Sequence, residues 1–313
     1  GRVAITESWN GSSWTEVNDL NNARGQAAGA GIATTGLVFG GENPGTAFLD
    51  KTESWNGSSF TEVGNLNTGR HTLAGAGTQT AALGFGGVIS PARTGATELW
   101  NGTSWSEQND LSLARNVAAP AGTATAALAT GGSAPPVYVT NTEEWNANVA
   151  VGAWTTSGNL NESRYSTTGA GTATAALCFG GQPPTPGVTA NTESYNGTAW
   201  AEVNNLNSAR DILLGSGTQS AALKFAGSPP KDTALTELWN GNVWTEVNDL
   251  NTGRRQAGSA KQSSTSTLCF GGENSSDAYV DITESWNGTS WTEVGDLNTA
   301  RKDVQGAGSS NIY

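Results

Sequence analysis

Seven Thr-Glu carboxylates (Glu7, Glu53, Glu98, Glu143, Glu193, Glu237, Glu284) and seven arginines (Arg24, Arg70, Arg115, Arg164, Arg210, Arg254, Arg301) are the residues of this 313-residue chain best suited to chemistry. Carboxylates can act as acid, base or nucleophile on a glycoside, and a guanidinium can clamp an anion. Catalysis, however, needs one asymmetric constellation, and a residue that returns at regular intervals serves something that every repeat requires. The expectation is therefore an Arg–carboxylate or Arg–backbone contact that locks neighbouring repeats, a task suited to a planar fork that donates several bonds at once. Other candidates are few. His71 is the only histidine, whereas zinc, type-2 copper and Ser-His-Asp sites draw on imidazole in company. No catalytic residue, metal site or cofactor is predicted. Cys178 and Cys269 hold the same position in different repeats with a whole repeat between them, beyond the roughly 7 Å Cα reach of a disulfide, and should be free and buried. The Ala-Gly-Ala-Gly stretches lack the Gly-Lys-Ser/Thr and the following helix of a phosphate loop.

The elements that must position these residues are written as tandem copies. Thr-Glu-x-Trp-Asn recurs with its Glu at the seven positions above, 44 to 50 residues apart, Tyr195 replacing Trp once. A second aromatic follows each copy (Trp14, Phe60, Trp105, Trp154, Trp200, Trp244, Trp291), and all 12 Trp fall in these two columns, with Trp9, Trp55, Trp100, Trp145, Trp239 and Trp286 in the first. After each arginine comes a small-residue stretch, then an apolar one ending in Gly-Gly, such as Leu37–Gly41; Ala226-Gly227 is imperfect and the seventh copy is missing. Small, apolar, alternating and alternating segments make four short strands per repeat, the outer two flanking Asn-Gly, a strong hairpin signal. Two registers fit that hairpin. A two-residue turn sets Glu7 opposite Trp14, and a four-residue loop sets Glu7 opposite Glu16, a like-charge pair; avoidance of that pair favours the two-residue turn. In either register Trp9 and Trp14 share a face. Each aromatic buries about 150–250 Å², worth roughly 4–6 kcal/mol before entropy, which supplies the hydrophobic mass a Gly-rich chain lacks.

Four strands per 45 or so residues with glycine pairs in phase are the mark of a propeller blade. The order arginine, apolar strand, Gly-Gly, spaced Trp, arginine resembles the Kelch repeat over nearly the whole chain. The Thr-Glu-Ser-Trp-Asn-Gly units also resemble Kelch-like repeat proteins of marine bacteria and their phages. The expected fold is an all-β, seven-bladed propeller of four-stranded antiparallel blades, a single domain over 1–313. Complete blades are expected at 24–66, 70–111, 115–160, 164–206, 210–250 and 254–297, with one blade shared between 1–20 and 301–313, residues 3–17 joining 303–312. The incomplete shared blade and the absent initiator Met suggest a piece of a longer chain. The galactose oxidase copper site, found on a related propeller, needs two His that this chain does not have.

Fifteen basic against 27 acidic residues give a net charge of −12, the wrong sign for nucleic acid or anionic membrane, and no apolar run approaches the roughly 20 residues of a spanning helix. Specificity is expected in the segments after each Gly-Gly, which differ most between copies: 42–50, 88–96, 133–141, 182–191, 228–235 and 273–282. Phe48, Asp50, Arg93, Tyr138, Lys231, Asp277 and Tyr279 are the candidate partner-binding residues, and protein or glycan is the expected partner. The two aromatic columns and the seven arginines are assigned to packing between blades. Lys261 stands where siblings have Gly, facing the expected channel, and the 146–153 hairpin is four residues longer than the others and could contact another subunit. The Asn-x-Ser/Thr sequons at Asn10, Asn56, Asn101, Asn161, Asn196, Asn274 and Asn287 are mostly explained by turn chemistry. The resulting expectation is a non-enzymatic binding or structural module on a virion or cell exterior, able to join a larger particle or oligomer. The alternative is a carbohydrate-active hydrolase or lyase using carboxylates near the channel.

Overall fold

Small residues beside a neighbouring backbone, then an apolar strand, then two strands bearing one aromatic each: this order of side-chain sizes lets every complete repeat close as an antiparallel four-stranded sheet. The computed structural model describes residues 2–116, 119–148, 151–229, 233–260, 263–304 and 306. In the first blade Ala28–Ile32 pairs with Thr35–Phe39, which pairs with Thr52–Trp55, which pairs with Phe60–Glu62. The small residues of a first strand are required by the preceding blade. A Cβ on Gly75 would stand 2.9 Å from the Gly29 carbonyl oxygen and 2.9 Å from the Phe39 ring. At the end of the second strand Gly40 and Gly41 take φ of +67° and +100°, a reversal that side-chain-bearing residues resist.

The chain forms two compact units, one of Gly1–Thr6 and Val17–Leu160, the other of Glu7–Glu16 and Asn161–Tyr313. The first unit holds three blades: the one above, Ala74–Gly77 with Ala82–Phe85, Thr97–Trp100 and Trp105–Glu107, and Ala119–Gly122 with Ala126–Thr130, Thr142–Asn146 and Ala153–Thr156. The second holds three more. They are Thr168–Gly171, Ala176–Phe179, Thr192–Tyr195 and Trp200–Val203; Leu214–Gly217, Ala222–Phe225, Glu237–Trp239 and Trp244–Glu246; and Gly258–Ser259, Thr267–Phe270, Thr283–Trp286 and Trp291–Glu293. Short hairpins Val88–Ile89/Ala92–Arg93 and Ser133–Ala134/Val137–Tyr138 decorate the first unit.

The expected seven blades are corrected to six: the described residues form six four-stranded sheets. Glu7–Trp9 and Trp14–Glu16 form a two-stranded hairpin, not a four-stranded blade. The physical reason is the strand that joins a first strand to a third: the apolar stretch occurs six times, ending five times in Gly-Gly and once in Ala226-Gly227, and six sheets form around it. Of the segment expected to complete a seventh blade, residues 305 and 307–313 lie outside the described residues.

The hairpin register is a second correction. Glu7 faces Glu16 and Trp9 faces Trp14, and the same four-residue loop recurs in the siblings, with Glu53 facing Glu62 and Glu98 facing Glu107. Asn10 explains the loop, because its Oδ1 accepts the N–H groups of Ser12 and Ser13, both at 2.9 Å. An Asn side chain that closes its own turn replaces the two-residue reversal. The like-charge cost is offset because Glu7 is bonded by Arg301 and Asn298 while Glu16 is exposed to water.

Candidate functional site

Six of the recurring carboxylates lie on the third strand of a blade and Glu7 lies in the N-terminal hairpin, and each meets the segment that carries its paired arginine. Glu98 accepts the Asn67 N–H at 2.7 Å and the Asn67 side-chain amide at 2.8 Å on Oε2, and the Arg70 guanidinium at 2.6 Å on Oε1. A second guanidinium nitrogen of Arg70 donates to the Gly84 carbonyl at 3.3 Å. The pattern repeats as Arg115–Glu143, Arg164–Glu193 and Arg254–Glu284 at 2.7 Å, as Arg301–Glu7 at 2.5 Å, and in the Arg24–Glu53 pair. Burial lowers the Arg24 and Arg115 pKa values, opposed by the paired glutamate in each case.

One copy departs from this geometry. Lys224, on the second strand where siblings carry Val38, Gly84, Ala129, Cys178 and Cys269, reaches Glu237 at 3.4 Å. Arg210 stands off at 3.5 Å from the same oxygen, and its Nη2 has no hydrogen-bond partner among the described residues. Two cations thus share one buried carboxylate. Burial, with the Arg210 charge adding to it, lowers the Lys224 pKa to about 7. The sequence reading overlooked this lysine, although a charged residue in an otherwise small or apolar column was the signal.

The aromatic columns meet one another and the neighbouring blade. Trp100 and Trp105 lie with centroids 5.5 Å apart across their hairpin, and Trp105 reaches Phe39 of the previous blade at 4.7 Å while donating to Thr52 Oγ1 at 2.9 Å. In the second unit Trp244 repeats this toward Phe179 and Thr192, Trp291 toward Phe225 and Thr236, and Trp14 toward Phe270 and Thr283. Trp9 pairs with Trp14, Trp55 with Phe60, Trp145 with Trp154, Trp239 with Trp244 and Trp286 with Trp291. In the longer hairpin Gly152 is held to the neighbouring blade by Gln108 and Asn109, both at 3.1 Å; residues 149–150 lie outside the described residues. Cys178 and Cys269 are buried and free, and burial raises the Cys269 pKa. An open cleft of about 410 Å³ is lined by Glu202, Val203, Asn204, Trp239, Gly241 and Asn242; Asn242 stands where most siblings carry Ser or Thr, and the Asn204 side-chain amide donates to its carbonyl at 2.8 Å.

The residues that differ between copies collect at another edge. The residue after each arginine bridges the residue after Gly-Gly: Gly25 with Glu42, His71 with Val88, Asn116 with Ser133, Tyr165 with Gln182, Asp211 with Ser228 and Arg255 with Glu273. In the first unit Phe48 is half-buried against His71, centroids 4.5 Å apart, and His71 Nδ1 lies 2.7 Å from Gln26 Oε1. Burial lowers the His71 pKa, against the pull of Glu42. Asp50 offers its backbone carbonyl to Leu66 N at 2.9 Å, Arg93 contacts Asn116 at 3.5 Å, and Tyr138 is half-buried opposite Ser133. In the second unit Asp277 binds Arg255 at 2.7 Å, Glu273 binds Lys302 at 2.7 Å and Arg255 at 3.3 Å, and Lys302 Nζ sits 5.3 Å above the Tyr279 ring. Lys231 and Lys261 lie outside the described residues.

The structure thus brings Asp277 and Tyr279 together with Arg255 and Lys302, and Phe48 together with His71. The pair of residues following each arginine escaped the sequence reading. Its signal was plain: Gly-Gln, His-Thr, Asn-Val, Tyr-Ser, Asp-Ile, Arg-Gln and Lys-Asp follow a constant arginine. The second member adopts positive φ at Gln26, Thr72, Ser166, Ile212, Gln256 and Asp303, between 49° and 56°.

No family model matches this chain, and no curated protein matches its sequence. A solved structure described as "Structure of YjhT" is similar to 89% of this chain and 99% of that one, with a TM-score of 0.64 and 11% identity. At that identity the likeness bears on the fold alone. It agrees with the four-stranded antiparallel blades in making this chain a β-propeller.

Proposed function

We propose that the chain is a non-enzymatic, rigid binding module of Kelch-like repeats that recognises protein or glycan, displayed on a cell or virion exterior and able to join a larger assembly. One observation carries this reading: the constant residues bond one another inside the blades, while the variable ones meet in bridged pairs at a single edge of each unit. Loops held on a rigid scaffold are where specificity resides. The recurring carboxylates already receive a guanidinium and a main-chain N–H, which favours a structural over a hydrolytic role. The net charge of −12 argues against nucleic acid or anionic lipid as partner.

Glycan-array and pull-down binding by the whole chain provides the test, with segment 133–141 or 273–282 exchanged for a sibling loop. Loss or change of partner with unaltered melting is the expected result. Turnover of a glycoside, abolished by one acidic substitution in a single blade, would overturn the reading in favour of a carbohydrate-active enzyme.

A further inference from the structure

We infer that the residue pairs 165–166, 211–212, 255–256 and 302–303 of the second unit form the specificity-determining row for a neutral, hydroxyl-rich oligosaccharide. The inference rests on the binding reading above and names the positions and the ligand class.

The backbone makes these pairs unlike ordinary loop residues. Ser166, Ile212, Gln256 and Asp303 have φ of 49°, 50°, 53° and 56°, a region that costs an L-residue and is especially unfavourable for β-branched Ile212. The conformation is held between blades, because Ile212 N donates to the Ser166 carbonyl at 3.3 Å and Asp303 N to the Gln256 carbonyl at 2.8 Å. The residue before three of them is bridged as well, Tyr165 to Gln182, Asp211 to Ser228 and Arg255 to Glu273. Variable side chains are thereby carried on backbone tied by hydrogen bonds and bridges, which lowers the ordering entropy that opposes binding. Strain tied to positions of variable identity is what a preorganised reading surface requires.

The side chains select the ligand class. The cations of the row are already matched, Arg255 by Asp277 and Glu273, and Lys302 by Glu273. Acids outnumber bases, with Asp211, Glu273, Asp277 and Asp303 against Arg255 and Lys302, so a sulfated or carboxylated glycan would meet net repulsion. What remains is hydroxyl and amide chemistry in linked pairs: the Tyr165 hydroxyl donates to Gln182 Oε1, and Gln256 donates to Asp303 at 3.0 Å. Amides and carboxylates present donors and acceptors at spacings that vicinal hydroxyls can match. Tyr279, 47% exposed, adds an aromatic ring against which the C–H face of a pyranose can lie. A protein partner would seek large apolar anchors in a pocket. Among the described residues of this unit the exposed large hydrophobics are only Ile212, Val243 and Tyr279.

Two variants of the whole chain test the inference on an array carrying neutral, sialylated and sulfated glycans beside immobilised proteins. The first replaces the 211–212 pair by the 71–72 pair (Asp211→His with Ile212→Thr), which a sibling already carries in the same backbone conformation. The second is Tyr165→Ala. Binding of neutral glycans by the parent chain, weakened at least tenfold or redirected in both variants at unchanged melting temperature, is the expected result. Neutral-glycan binding that both variants retain, while exchange of 273–282 abolishes it, overturns the row and leaves the binding reading standing. Binding only to proteins or anionic glycans overturns the ligand class. A parent chain that binds nothing on the array removes the binding reading and this inference with it.

Discussion

Glu98 and Glu62 illustrate how differently one residue type behaves in this chain. Glu98 is buried against Arg70 at 2.6 Å, whereas Glu62 is exposed and meets Lys51 at 3.6 Å. Removing one partner of a buried pair strands the other charge, so Glu98→Gln is expected to cost about 3–5 kcal/mol. Glu62→Gln should leave the urea midpoint essentially unmoved, and the two midpoints measured together check the contrast. Lys224 carries the opposite expectation. Lys224→Val removes the second cation from Glu237, lets Arg210 approach it as its siblings approach theirs, and should stabilise the protein by about 1–4 kcal/mol at pH 7. The folded pKa of about 7 lies below the ordinary 10.5, so between these values the unfolded chain holds a proton that the folded chain has shed. Parent stability therefore rises with pH through that window, and the penalty is fully present below pH 7. The variant's advantage should shrink from pH 7 to pH 10, as urea titrations at several pH values would measure; an advantage that grows with pH would contradict the assignment.

At the scale of an element, the turn into the first strand of each blade is the feature that propensity does not explain. Thr72 holds φ of +50°, where a β-branched residue is disfavoured and Asn is tolerated. Its N–H donates to the Gln26 carbonyl at 2.9 Å, an interblade bond that any residue but Pro could make. Thr72→Asn should therefore keep the bond, relieve the backbone and raise stability by up to about 1 kcal/mol; a fall in melting temperature would show that the Thr72 hydroxyl bond to the His71 carbonyl outweighs the strain. The hairpins follow a different logic. Asn-Gly was legible as a turn, yet its register was not, since pair rules for isolated strands omit Arg301 and Asn298, which arrive at Glu7 from almost 300 residues away.

On the scale of the whole molecule, the chain places its hydrophobic mass in aromatic columns and buried small residues, and among the described residues the variable edge exposes few large apolar side chains, Val137, Ile212 and Tyr279 among them. Cys178 and Cys269 belong to that interior, at 1% and 0% exposure. Both thiols should resist a water-soluble disulfide reagent in the native state and react with kinetics that follow unfolding. Rapid labelling of either in the folded protein would show that the blade opens locally. Of the constant carboxylates behind the net charge of −12, the Thr-Glu column is internal and paired, while a second recurring column, Glu16, Glu62, Glu107, Glu202, Glu246 and Glu293, is exposed and supplies much of the surface charge.

Repetition made the local architecture legible in the amino-acid sequence alone. Strand order, the Gly-Gly reversals, the aromatic columns and the four-stranded blade all follow from side-chain size and period, quantities that each copy states afresh. Tertiary structure decided whatever depends on residues distant in the chain. It set the hairpin register through Glu7, and it gathered Arg255, Glu273, Lys302 and Tyr279 at one edge. It also put Lys224 and Arg210 on a single carboxylate, and it made six blades out of seven copies of the Trp-bearing hairpin. The physical reason is common to all four. Periodicity specifies what a strand presents to its immediate neighbours, while charge compensation and strand partnership depend on what the rest of the chain delivers to that place.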